Sequence, residues 1–85
     1  MTKPRPNRTD VNTELGAFVR TRRKASRLSQ RELGELAGVG TRFVSELERG
    51  KSSVRLDAVS RVLAVFGKTL GVVDTPRKDP ANETT

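Results

Sequence analysis

Side chains that donate and accept hydrogen bonds recur at helical spacing in the middle of the chain, at Thr41, Arg42, Ser45 and Glu46. Stepping this segment at about 100° per residue places them on one arc with Arg49, while apolar residues occupy the opposite arc. Hydroxyl, guanidinium and carboxylate groups on one helix face are the groups that meet base edges in the major groove of DNA. The segment is therefore predicted to be a helix that contacts bases.

Within this set, Arg42 is the best candidate for a bidentate contact with guanine O6 and N7, and Thr41 and Ser45 suit either base type. Glu46 allows two interpretations: it accepts from cytosine N4, or it orients Arg42 one turn earlier in the helix. The second is preferred, because phosphates repel an acidic group. Phe43 is expected to pack in the core rather than to contact a thymine methyl group, because it lies on the apolar side of the helix.

A shorter helix is predicted immediately before the base-contacting helix. Ser29 and Glu32 form a capping box, so this helix is expected to begin near Gln30 and to end at the turn of residues 38–40. Its expected apolar face comprises Leu33, Leu36 and Ala37. Two helices joined by a short glycine-containing turn are the signature of a helix-turn-helix unit, whose second helix enters the major groove. A helical hairpin with a solvated polar face is the alternative.

Two further helices are expected to complete the core. The first is predicted from a cap at Asn12 or Thr13 to about Ser26, and the last over about residues 56–66, with Gly67 as its terminator. Their expected buried residues are Leu15, Phe18, Val19, Leu56, Val59, Val62, Leu63 and Phe66.

The C-terminal part of this region indicates an interface between two copies. Ala58 and Val65 widen the apolar stripe of the last helix beyond what one inward face needs. Residues 68–74 are predicted to form a strand, and a lone strand leaves backbone groups unpaired unless a partner takes them. We therefore infer a twofold dimer with an intermolecular two-stranded ribbon, and a frayed tail is the alternative. The expected interface residues are Val65, Phe66, Leu70, Val72 and Val73.

Such a dimer presents two base-contacting helices to an inverted-repeat operator, with half-sites about 34 Å apart. Polar and basic side chains near the two central helices are expected to contact the DNA backbone: Ser29, Gln30, Arg31, Arg49, Lys51 and Arg55. Gln30 has an alternative role, in which it braces the base-contacting helix.

Composition favours a polyanionic partner. The chain has 85 residues, a formal net charge of +7 and a pI near 11.1, which suits one small domain that binds DNA. It contains no cysteine and no histidine, so we expect no metal site, no cofactor and no enzymatic activity. No apolar run reaches membrane-spanning length, and the N-terminus lacks the apolar core of a signal peptide. The sequence therefore predicts a cytoplasmic, nucleoid-associated protein with no membrane partner.

Both ends of the chain are predicted to be disordered. Residues 1–10 form a basic arm with Lys3, Arg5 and Arg8 among prolines, and residues 75–85 form a polar tail. The DNA-binding and dimerisation domain is expected over residues 11–74.

Two segments resemble the Xre/Cro-type helix-turn-helix of bacterial and phage repressors: residues 28–33, LSQREL, and residues 45–51, SELERGK. The resemblance covers about residues 13–67. It implies an all-α fold of four to five short helices, lambda-repressor-like, here with one short C-terminal strand that pairs across a dimer. It also implies a partly buried ion pair between Arg23 and Glu48 that orients the helices. The chain departs from the family pattern at Gly34, usually alanine, and at Arg22, usually aliphatic.

Within that family, residues 38–51, followed by residues 54–57 and a short strand, are most similar to HipB-like antitoxins of type II toxin–antitoxin systems. This similarity implies a transcriptional repressor that is the antitoxin and autoregulator of an operon for a HipA-like kinase toxin. One alternative is a free-standing Xre-type regulator without a toxin, and another is a basic protein-interaction module. No nucleophile–base pair supports an enzyme.

Overall fold

The computed structural model of the protein describes residues 11–74, which form four α-helices: α1 (Val11–Ala25), α2 (Gln30–Ala37), α3 (Thr41–Glu48) and α4 (Leu56–Val65). The all-α class and the order of these helices agree with the sequence analysis. The arm predicted for residues 1–10 and the tail predicted for residues 75–85 lie outside the described residues. None of the helices between residues 11 and 74 is long and apolar enough to cross a membrane.

The predicted capping box sets the start of α2. The amide of Glu32 donates to Ser29 Oγ at 2.9 Å, and the amide of Ser29 donates to Glu32 Oε1 at 2.7 Å. Both amides would otherwise lack a partner at this helix end. Gly38 ends α2 with a φ of 76°, a left-handed conformation that costs a residue with a Cβ about 1–2 kcal/mol. Local sequence therefore fixes α2 and the turn that leads into α3.

The core lies where the four helices meet. Its most deeply buried side chains, each less than 2% exposed, are Val19, Leu33, Val44, Leu47, Val59 and Val62. Helix α2 packs against both α3 and α4, and α1 packs against α3. Burial of a side chain of this size stabilises the fold by about 1.5–3 kcal/mol relative to exposure. Helix α3 is thus held from its apolar side, and its polar side is left available.

Two leucines that were expected in the core are exposed, Leu36 at 63% and Leu56 at 70%. The buried residues of α2 are Leu33, Gly34 and Ala37, and the centre of their arc lies roughly 100° from Leu36. Leu56 similarly lies about 90° from the centre of the buried arc of α4. The prediction was wrong because the apolar type of a residue does not decide which helix face the other helices cover.

Phe66, predicted both as a buried residue of the last helix and as an interface residue, lies in the core of its own chain. It is 9% exposed and packs with the buried cluster, and Leu70 packs partly against the same cluster. Phe66 and Leu70 therefore cover the end of α4 within a single chain. Of the predicted interface residues, Val72 and Val73 remain exposed, and Val65 is half-buried.

The predicted C-terminal strand is absent, because residues 68–74 carry no regular secondary structure and no strand occurs elsewhere between residues 11 and 74. A strand obtains its hydrogen bonds from a neighbouring strand. The described part of a single chain offers none. The alternation of apolar residues in 68–74 is therefore insufficient to form a strand within one chain.

Candidate nucleic-acid interface

A glycine in α1 sets how closely α3 approaches. A Cβ built on Gly16 would press on the carbonyl oxygen of Leu47 and would lie 2.9 Å from that of Glu48. The C-terminal end of α3 therefore rests on the bare backbone of α1. Gly16 was not among the residues predicted to matter for this site. The available signal was a lone glycine inside a helical pattern, which often has a packing reason.

Arg23 and Glu48 form the ion pair that the resemblance implied, and this pair connects three helices. Arg23 Nε lies 2.6 Å from Glu48 Oε2, and Arg23 Nη2 donates to Glu48 Oε1 at 3.0 Å. Gln30, the first residue of α2, donates from Nε2 to the same Oε1 at 3.1 Å. Arg23 Nη1 also donates to the carbonyl of Leu28 at 2.8 Å. The side chains of Arg23 and Glu48 are only 12% and 4% exposed, so this network fixes α3 relative to α1 and α2.

The groups of this network stabilise one another in their charged forms. Burial alone would raise the pKa of Glu48, but hydrogen bonds from Arg23 and Gln30 and the charges of Arg23 and Arg20 hold that pKa below its ordinary value of 4.5. The hydrogen bond to Glu48 raises the pKa of Arg23, against the effect of burial. Glu48 is therefore ionised at neutral pH, and its contacts direct it toward the other helices.

The four residues selected for base contact lie on the side of α3 that faces away from the core. Thr41 and Arg42 are exposed, and Ser45 and Glu46 are half-buried. The Arg42 side chain is 88% exposed, and its Nε lies 3.2 Å from Glu46 Oε2 across one helical turn. Glu46 thus contacts Arg42 in the free protein, which is the geometry that the orienting role requires. Phe43 is partly buried against the core.

Glu46 has a second cationic partner in Lys51. Lys51 Nζ lies 3.4 Å from Glu46 Oε1, and the amide of Lys51 donates to the carbonyl of Glu46 at 3.1 Å. Loss of solvation alone would raise the pKa of Glu46, but the hydrogen bond from Arg42, together with the charge and hydrogen bond of Lys51, holds it below 4.5. The Glu46 carboxylate therefore forms ion pairs with both Arg42 and Lys51, two cations that were predicted to contact DNA.

The other basic candidates for backbone contact differ in their pairing. Arg31 Nε lies 3.3 Å from Glu35 Oε2 along α2, and Arg55 Nη2 lies 2.8 Å from Asp57 Oδ2 at the start of α4. Arg49, just after α3, is exposed and has no ion pair among residues 11–74. These surface pairs are worth little in stability. The arginines can therefore exchange a carboxylate for another anion at small cost.

The polar candidates at the start of α2 are already engaged by the fold. The hydroxyl of Ser29 caps α2, and the side-chain amide of Gln30 donates from Nε2 to Glu48 Oε1. Gln30 therefore occupies the position that a bracing role requires.

The loop after α3 is held against the first turn of α1. Asn12 Nδ2 donates to the carbonyl of Lys51 at 3.1 Å, and a Cβ built on Gly50 would lie 3.4 Å from Thr13 Cα. Asn12 or Thr13 was predicted as the helix cap, but α1 already begins at Val11, so that prediction was wrong. Nothing in the local pattern links Asn12 to a residue so distant in the chain. This contact fixes the backbone from which Lys51 projects.

Arg22 lies between two aromatic rings, at the position where the family pattern has an aliphatic residue. Its Cζ lies 5.5 Å from the centre of the Phe18 ring and 5.6 Å from that of Phe66. The guanidinium is attracted to the faces of the rings, and its methylene stem covers apolar surface. Arg22 thus covers the core as an aliphatic side chain would, and it links α1 to the end of α4.

Comparison with known proteins agrees with this architecture. A family model described as a helix-turn-helix domain matches residues 14–75. An uncharacterized HTH-type transcriptional regulator of Sinorhizobium fredii, y4mF, is 40% identical over 60 residues, which cover 71% of this chain and 79% of that protein. Another such regulator, from Haemophilus influenzae, is 34% identical over 53 residues, covering 62% of this chain and 54% of that protein. A solved structure described as a toxin–antitoxin module from Streptococcus pneumoniae matches with a TM-score of 0.68 and 36% identity, over 79% of this chain and 74% of that one.

Proposed function

This chain belongs to the Xre-like helix-turn-helix family, and from that membership we propose that it represses transcription by binding operator DNA as a dimer. In this proposal α3 enters the major groove, and the rest of the domain orients it. The repressed promoter includes that of its own gene.

The observation that carries the proposal is the contrast between the two sides of α3. One side is fixed by the close approach to Gly16 and by the network of Arg23, Gln30 and Glu48. The other side presents Arg42 to solvent together with hydroxyl groups. A rigidly held helix with an accessible polar face has the properties that base readout needs, because small errors in position lose hydrogen bonds.

We assign base contact to Thr41, Arg42 and Ser45, with Arg42 on guanine O6 and N7. The basic residues around α3 contact the backbone phosphates, together with the polar cap residue and the first residue of α2. This backbone set comprises Ser29, Gln30, Arg31, Arg49, Lys51 and Arg55. These contacts set the position of the protein on DNA and carry little sequence information.

The dimeric state is proposed because one α3 reads too few base pairs for useful specificity. Val72 and Val73 are exposed apolar residues in a segment without regular structure. Pairing of this segment with its copy across a twofold axis gives the backbone groups partners and covers both valines. The operator is then an inverted repeat with half-sites about 34 Å apart.

A finer proposal is that the chain is the antitoxin of a toxin–antitoxin operon. It is supported by the similarity to a chain of the Streptococcus pneumoniae toxin–antitoxin module, and the HipA-like kinase class of the toxin rests on the HipB-like resemblance of residues 38–51. Co-expression with the product of the neighbouring gene tests it: the two proteins should co-purify. A neighbouring product that neither binds this chain nor arrests growth would leave the free-standing regulator as the function.

The salt dependence of binding to its own promoter tests the DNA-binding proposal. If the basic residues of both subunits displace about six to eight ions, the logarithm of affinity should fall with the logarithm of salt concentration with a slope of roughly −5 to −7. Binding can be followed by fluorescence anisotropy of a labelled duplex. A slope near zero would contradict the proposed phosphate contacts, and no binding to the duplex at any salt concentration would favour an acidic protein partner.

Two substitutions locate the face that contacts DNA. Arg42→Ala should lose about 1–3 kcal/mol of binding free energy per half-site and relax the preference at one base pair. Lys51→Ala should weaken binding to all sequences alike, because a phosphate contact carries no base information. If both variants changed affinity equally for every duplex, the base-contacting face would lie elsewhere.

A further inference from the structure

Glu46 is a carboxylate on a face that otherwise presents basic and hydroxyl groups to DNA. A negative charge here repels phosphates, so it opposes binding to a duplex unless a contact made only with the correct sequence offsets that repulsion. We propose that Glu46 is a specificity-determining residue that restrains Arg42 and Lys51 together, which favours guanine contact and opposes binding to phosphates alone. The inference rests on the DNA-binding function proposed above.

The contacts of Glu46 divide the two cations between its two oxygens. Arg42 reaches Oε2 through Nε at 3.2 Å, and Lys51 reaches Oε1 through Nζ at 3.4 Å. Within residues 11–74, Nη1 and Nη2 of Arg42 make no hydrogen bond. Those two groups form the fork that matches guanine O6 and N7. Glu46 can therefore keep its contact with Nε while Arg42 binds a guanine.

Among Glu46, Arg42 and Lys51, the Glu46 carboxylate is the most restricted by burial. The Glu46 side chain is 21% exposed, whereas that of Arg42 is 88% exposed. The backbone amide of Lys51 donates a hydrogen bond to the carbonyl of Glu46 in the last turn of α3, and the Lys51 carbonyl accepts from Asn12 Nδ2. The Glu46 carboxylate and the backbone of Lys51 are thus held more firmly than the Arg42 side chain, and the carboxylate restrains the direction that Arg42 takes when it extends.

This geometry separates correct from incorrect sequences. On the correct sequence, Arg42 satisfies Glu46 and guanine at once, so the carboxylate contributes to the complex. On an incorrect sequence, Arg42 must leave Glu46 to reach a phosphate, and the carboxylate, which then keeps only Lys51 as a partner, faces the DNA backbone. Glu46 therefore opposes incorrect complexes more strongly than correct ones.

The test compares Glu46→Gln with Glu35→Gln, which removes the same charge from the exposed Arg31–Glu35 pair on α2. Affinity is measured for a duplex of the protein's own promoter and for a scrambled duplex of equal length and composition. We expect Glu46→Gln to lower the ratio of promoter affinity to scrambled-duplex affinity about two- to fivefold per α3 helix. The change should come mainly from tighter binding to the scrambled duplex. Glu35→Gln should leave the ratio unchanged. A ratio in Glu46→Gln equal to that of the wild type or of Glu35→Gln would overturn the inference.

A second measurement does not depend on DNA. NMR titration of the Glu46 carboxyl should show a higher pKa in Arg42→Ala and in Lys51→Ala than in the wild type, since each loses one of the two cations. No change in either variant would overturn the inference even if Glu46→Gln failed to fold. A wild-type protein that binds the two duplexes equally contradicts the proposed function. One that discriminates between them, with an unchanged ratio in Glu46→Gln, contradicts this inference alone.

Discussion

Glu48 is the residue through which three helices are joined, and its ionisation should make stability depend on pH. Its folded-state pKa lies below the ordinary value of 4.5, so the folded state binds fewer protons than the unfolded state in the acid range. The stabilisation is present above about pH 4.5 and is lost as pH falls through the folded-state pKa. The same contacts that position α3 thus become weaker in acid.

Replacement of this carboxylate should remove that dependence. We expect Glu48→Gln to lower the free energy of unfolding at pH 7 by about 2–3 kcal/mol, because the largely buried Arg23 guanidinium loses the negative charge that compensates it and keeps only a neutral acceptor. Its urea unfolding should also change less between pH 6 and about pH 3 than that of the wild type. Glu35→Gln, in an exposed pair, is the matched control and should change stability little. An equally steep acid loss in Glu48→Gln would assign the dependence to other carboxylates.

At the scale of the elements, Gly16 and Gly34 allow close backbone contacts that a Cβ would block. Gly16 contacts the end of α3, and Gly34 contacts the turn between α2 and α3. The family pattern has alanine at residue 34, and alanine is the better helix former. A Cβ on Gly34, however, would lie 2.8 Å from the carbonyl oxygen of Val39 in the turn before α3. This chain has therefore closed the α2–α3 turn more tightly than an alanine permits.

The sign of the Gly34→Ala effect follows from that contact. We expect the melting temperature to fall by roughly 5–15 °C, because overpacking against backbone outweighs the gain in helix propensity. Gly71→Ala is the control, since a Cβ there meets nothing within 4 Å, and it should leave the melting temperature unchanged. A higher melting temperature in Gly34→Ala would mean that the turn gives way easily.

Sequence alone was sufficient where local rules decide. Ser29, Glu32 and Gly38 fixed α2 and its turn, because capping and left-handed backbone depend on neighbours in the chain. It was insufficient for Leu36 and Leu56, whose exposure depends on which face the other helices cover. The contact of Arg22 with Phe66 likewise joins residues far apart in the chain, which no periodicity indicates. The division of α3 into a buried side and a solvent-facing side was predicted correctly, because helical periodicity over its eight residues decides it.

At the scale of the whole molecule, the exposed valines near the C-terminal end make the dimer testable without disturbing the core. Val72 is fully exposed, so Val72→Asp should leave the fold of one chain intact. We expect it to shift the protein toward monomer in sedimentation equilibrium and to weaken operator binding roughly 100-fold or more, because the two half-sites then bind separately.

Thr69→Asp is the matched control for the added charge, since it places an aspartate in the same exposed segment without removing an apolar side chain. It should retain the dimer and most of the operator affinity. A monomeric wild type, or equal dissociation in the two variants, would contradict the proposed role of Val72.

The contact between Gly16 and α3 restricts how the protein can diverge. Any nucleotide change that replaces a glycine introduces a Cβ, and at residue 16 that atom would meet the carbonyl oxygens of Leu47 and Glu48. The angle of α3 therefore cannot be altered by gradual substitution at this position. In a library selected for new operators, we expect changes to accumulate at Thr41, Arg42 and Ser45, while Gly16 is retained. New specificity would arise from different side chains on α3, while the position of α3 in the fold stays unchanged.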